Sequence, residues 1–226
     1  LDWPVEGVFV VRDGDQIDGR FFDQDEAQVV LPLRELVSSG TQSRTSFSQY
    51  FAFGVEHILS GWDHLAFVLA LCLIATGWRL IKLVTAFTAG HSITLGMASV
   101  GLIAVPAPPL EALIALSIAF MAREAILRQS EAQGYGIVLA FGLLHGLGFA
   151  GALSEFGLRQ DSILRALLAF NLGVEAGQLI FVLGAVTALA MARQVVRPAG
   201  LRHAVAHGIG ILAIFWTAER IAGFIV

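Results

Sequence analysis

Six long apolar runs occupy the chain from about residue 48 onward, over 50–77, 83–104, 110–128, 135–154, 165–191 and 202–224. Each is near the roughly 20 residues that a helix needs to cross bilayer hydrocarbon. Backbone amides there find no water, so a run of this length folds as a helix that bonds to itself. The expected fold class is an all-α polytopic membrane protein of about six transmembrane helices. The first and fifth runs are long enough to tilt or to emerge at one end. Breakers fall between runs, at Pro106, Pro108, Pro109 and Pro198. Composition agrees: 56% of residues are hydrophobic and 14% charged, against about 25% charged in soluble domains. No internal repeat is convincing.

Residues 1–46 are of another kind, and the expected division is 1–46 and 47–226. VEGVFVVRDGDQIDGRFF alternates and contains Asp-Gly turns, which predicts a short hairpin. LPLRELVSSGTQSRTS reads as a linker or an interfacial segment. The chain starts at Leu1 without a basic stretch leading into an apolar one, so a processed leader and a truncated end both remain open. Net charge is −4, and nothing points to nucleic acid. Cys72 is the one cysteine, so an intrachain disulfide and a thiolate metal cluster are both excluded.

Basic residues set the orientation. Arg79 and Lys82 flank the first connection, Arg128 the third, and Arg193, Arg197 and Arg202 the fifth; the second has none and the fourth has Arg159 and Arg165. Odd connections therefore face the cytoplasm. The expectation is a multi-pass protein of the bacterial inner membrane with both termini on the periplasmic side.

Polar groups inside the runs are the chemical signal. The first carries HILSGWDH, residues 57–64. At about 1.5 Å per residue, His57 lies two turns in from the outer side and His64 near the middle. His91 on the second run, His145 on the fourth and Glu175 on the fifth reach a similar depth. A charged side chain there costs about 2.5–3.5 kcal/mol on insertion scales, and such groups usually face inward and function. One such histidine alone is as readily an interhelical hydrogen-bond partner; four runs at one level point to a shared polar centre.

On a straight helix His57 and His64 share a face but stand about 10.5 Å apart along the axis. They read as two stations on one path, outer and inner. Asp63, turned about 100° away, is a ligand, a carboxylate orienting an imidazole, or an arginine's partner. Thr88, Ser92 and Thr94 read as packing glue. Gly142 and Gly146 form a GxxxG that brings His145 close to other helices. Asn171, Glu175 and Gln178 make one polar stripe. Arg123, Glu124, Glu219 and Arg220 near span ends read as snorkelling or locally paired. His203 and His207 read as interfacial, and Glu56 as a group at the outer mouth.

The candidate metal residues are therefore His57, Asp63, His64, His91, His145 and Glu175. Imidazole plus carboxylate without thiolate suits nickel, cobalt, zinc or iron rather than calcium or magnesium. A permease uses such groups as stations that bind and release. An intramembrane hydrolase uses three ligands, an open position for water, and a base, here Asp63 or Glu175. Paired histidines also permit haem, and a sensor with the N-terminal segment as partner surface is a further option. No particular protein partner is indicated.

His57-x5-Asp63-His64, FTAGHSITL (87–95), FGLLHGLGFAGAL (141–153) and FNLGVEAGQL (170–179) together resemble the HupE/UreJ family of bacterial membrane proteins. The resemblance spans roughly 50–224. It implies a nickel permease associated with hydrogenase or urease maturation, with His57, Asp63, His64 and His145 handling the metal. The family's Phe-His-Gly-x-Ala-x-Glu motif stands here as Leu144 to Ala150, with Ala150 in place of the glutamate, which marks a divergent branch.

Overall fold

A computed structural model describes residues 7–13, 16–22, 47–103, 105–127, 134–148 and 163–225. The chain divides into two compact units, Leu1–Arg44 and Thr45–Val226. In the first, strands β1 (Gly7–Asp13) and β2 (Gln16–Phe22) pair antiparallel, from Gly7 opposite Phe22 to Asp13 opposite Gln16. The expected linker lies outside the described residues.

The second unit is helical throughout: α1 (Phe47–Ser60), α2 (Trp62–Ile74), α3 (Gly77–Ser99), α4 (Ala107–Leu127), α5 (Tyr135–Gly148), α6 (Ile163–Ala192) and α7 (Pro198–Ile225). Pro108 and Pro109 sit in the first turn of α4 and Pro198 opens α7, where a missing N–H costs nothing. After α2 the chain runs extended through Ala75 and Thr76, and Gly77 takes φ +57° to begin α3.

Among the described residues, α3, α6 and the Pro198–Gly223 part of α7 are long and apolar enough to cross a membrane. A fourth crossing arises if α1 and α2, bent by 73° at their junction, make one span. This is fewer than the six runs read from the sequence. Glu111, Arg123 and Glu124 on α4 dilute its apolar length. The described part of α5 is only 14 residues long, and the remainder of its run lies outside the described residues.

Leu168, Leu172, Leu183, Ile211 and Phe215 are exposed on α6 and α7. So much outward apolar surface needs lipid to cover it. The interior is filled by Phe67, Leu71, Leu83, Val84, Phe87, Ile118, Met121 and Val138, with Cys72 among them.

The most extensive helix interfaces are α3 with α5, α4 with α7, and α1 with α6. Two of them are backbone crossings through glycine. A Cβ at Gly54 of α1 would strike the Phe170 carbonyl of α6, and one at Gly173 would strike that of Phe51. A Cβ at Gly142 of α5 would strike the Phe87 carbonyl of α3, and one at Gly90 would strike that of Leu139. Small residues permit this approach where dispersion, not water expulsion, drives helices together. The close approach expected from Gly142 and Gly146 is thus directed at α3.

Candidate metal centre

The break at Gly61 builds the centre. Gly61 is extended (φ −78°, ψ 94°) between α1 and α2, and it turns His64 back toward His57. Their ring centroids lie 4.8 Å apart. The reading as two separate stations assumed a straight helix, and the bend brings the two rings together. A Cβ on Gly61 would sit 2.7 Å from His64 Nδ1 and 2.9 Å from the His57 carbonyl, so the junction tolerates no side chain as it stands.

His91 of α3 and His145 of α5 complete the cluster. His91 lies 5.8 Å from His57 and 5.7 Å from His64, and His145 lies 5.2 Å from His64, all centroid to centroid. Gly90 and Gly142, which let α3 and α5 touch, are one and three residues before these histidines. Phe67 and Phe87 press on His145 at 5.3 and 5.0 Å, and Phe170 presses on His57 at 5.5 Å. His91 and His145 are 0% and 1% exposed, whereas His57 is only half-buried.

His145 Nε2 lies 3.0 Å from the Ser117 hydroxyl of α4, which itself donates to the Ile114 carbonyl at 2.6 Å. One hydroxyl proton serves one acceptor. Ser117 therefore accepts from His145 Nε2–H, and the Nδ1 lone pair is left to the cluster. Among the described residues, that nitrogen, His64 Nε2 and both nitrogens of His91 are buried without a hydrogen-bond partner. Each such atom costs about 1–3 kcal/mol. Four cost roughly 4–12 kcal/mol, comparable with the whole net stability of a typical fold, about 5–15 kcal/mol. Neutral imidazole lone pairs gathered in this way fit a borderline divalent cation. Among the described residues, no three His, Cys, Asp or Glu side chains are preset to hold a metal ion. The rings touch as neighbours and must turn to share one ion.

The two carboxylates from the sequence reading are each bonded to a residue of another helix. Asp63 pairs with Arg220 of α7 at 2.8 Å, and Arg220 also donates to the Glu111 carbonyl at 2.9 Å. Arg220 thus ties α2, α4 and α7 together rather than merely snorkelling. Glu175 accepts from Thr85 at 2.6 Å, and one turn along, Thr88 donates to buried Gln178 at 2.7 Å. Arg123 pairs with its neighbour Glu124 at 2.6 Å. The sequence reading missed Ser117, Gly61 and the reach of Arg220. Only Gly61 left a local trace, a Ser-Gly stop followed by an acidic first turn.

A model of the family described as HupE / UreJ protein matches residues 34–220. The chain belongs to the HupE/UreJ family. The match covers α1 to α6 and α7 as far as Arg220, and so includes all four clustered histidines. No curated protein and no solved structure matches this HupE/UreJ chain.

Proposed function

We propose that the chain is an inner-membrane permease for a divalent transition-metal cation of the nickel type, with the metal as cargo. The observation that carries this reading is the cluster of four imidazoles, three of them with buried nitrogens that no group among the described residues satisfies. The family is associated with an accessory function in nickel and cobalt transport, which is the chemistry such ligands favour.

In this reading the domain crosses the membrane six times, α1 and α2 forming the first span and α5 the start of the fourth. The termini and the 1–46 segment face the periplasm. Cargo passes Glu56, enters at half-buried His57, and is shared among His57, His64, His91 and His145. Asp63, held by Arg220, fixes the first turn of α2 and so the placement of His64. Glu175 with Thr85 offers oxygen ligands on the far side of the Thr88–Gln178 pair.

An intramembrane hydrolase needs a free carboxylate base beside its metal. Asp63 is ion-paired through Oδ2 while its Oδ1 is buried without a hydrogen-bond partner among the described residues, and it is the family's association with nickel and cobalt transport that favours the permease. His64→Ala should abolish nickel or cobalt uptake by expressing cells while the purified protein stays helical. Unchanged uptake by that variant would end the reading.

A further inference from the structure

The two glycine crossings are copies of each other. One constant step along the chain carries Phe51, Gly54 and His57 onto Leu139, Gly142 and His145, and a second carries Phe87 and Gly90 onto Phe170 and Gly173. The contacts follow the same exchange. Gly54 against the Phe170 carbonyl becomes Gly142 against that of Phe87, and Gly173 against Phe51 becomes Gly90 against Leu139. Phe170 on His57, at 5.5 Å, becomes Phe87 on His145, at 5.0 Å. The interface of α1 with α6 maps onto that of α5 with α3, while that of α4 with α7 maps onto itself. An operation that swaps two halves and returns each to the other is a two-fold. AFGVEH (52–57) and AFGLLH (140–145) show it in the sequence, and correct the reading that found no repeat. It escaped notice because little beyond the crossing glycines and one histidine per half is kept.

We infer that the domain is an inverted repeat of two three-span halves that works as an alternating-access carrier, presenting the imidazole cluster to one side of the membrane at a time. The inference rests on the permease reading and adds the class of transport. Three spans per half place the second half upside down relative to the first, the arrangement in which cargo binds at the repeat interface and one bundle rocks against another. The rocking bodies are the pairs α1–α6 and α3–α5. Each is locked internally by backbone contact through glycine, and they meet through side chains, at the imidazoles, Thr85–Glu175 and Thr88–Gln178. His57 belongs to one body, and His91 and His145 to the other.

The two mates differ in the present state. His57 is half-buried, while its mate His145 is 1% exposed, sealed by Phe67, Phe87 and Ser117. Swapping the conformations of the halves opens His145 to the opposite side and buries His57.

The test is counterflow in proteoliposomes containing the full chain. Vesicles preloaded with unlabelled nickel chloride are diluted into trace radiolabelled nickel. A carrier returns from each outward passage with labelled cargo, so label accumulates transiently several-fold above its equilibrium level. Labelled uptake that rises only to equilibrium, without an overshoot, overturns the carrier and leaves the permease intact. No uptake above protein-free vesicles overturns both.

Discussion

Ser117→Ala removes one oxygen that touches no cargo, yet it should weaken metal binding. The Ser117 hydroxyl is the acceptor for His145 Nε2–H at 3.0 Å, and the two side chains are 3% and 1% exposed. Without it the imidazole has two courses. It can keep its tautomer and bury an unpaired N–H, at about 1–3 kcal/mol. Or it can move the proton to Nδ1, which removes the lone pair that faces the cluster. The first lowers stability and leaves the ring's orientation and basicity unsupported, the second withdraws the ligand, and loss of such outer partners typically costs 10–100-fold in metal affinity. The assay is nickel or cobalt titration of purified protein against a competing chromogenic chelator, with circular dichroism to confirm helicity. Ser117→Thr keeps an acceptor and should retain most of the affinity. Equal affinity in the wild type and the folded alanine variant would refute the reasoning that His145 binds through Nδ1.

Gly54→Ala and Gly142→Ala each drive a methyl into a carbonyl of the partner helix. Overpacking costs about 1–3 kcal/mol, so both should lower the thermal midpoint in detergent by similar amounts; a shift in only one would argue against equivalent crossings. Gly61→Ala places a methyl 2.7 Å from His64 Nδ1. It should lower metal affinity more than it lowers thermal stability, and the reverse order would show the break to be merely structural.

The helical membrane character was legible because hydropathy over 20 residues is a local property. That His64, His91 and His145 come level with one another was legible too, since position along neighbouring helix axes is a count of residues. Their lateral meeting was not, because it depends on a turn at one residue. HILSGWDH reads as continuous helix, with the two Cα atoms about 10.5 Å apart along the axis, until Gly61 is allowed to break it and the ring centroids meet at 4.8 Å. Partners distant in sequence were equally hidden: Asp63 finds Arg220, Glu175 finds Thr85, and His145 finds Ser117. Among the described residues six runs became three or four clear spans, because α4 carries three charges, α1–α2 is bent and only 14 residues of the fourth run are described as α5.

X-ray absorption at the nickel edge of metal-loaded protein addresses the imidazole centre most directly. Nickel is expected to be bound through nitrogen, with the outer-shell scattering of at least three imidazole rings and no sulfur, and with loss of one ring's share in His64→Ala. A shell made of oxygen alone, unchanged by that substitution, would contradict the imidazole centre.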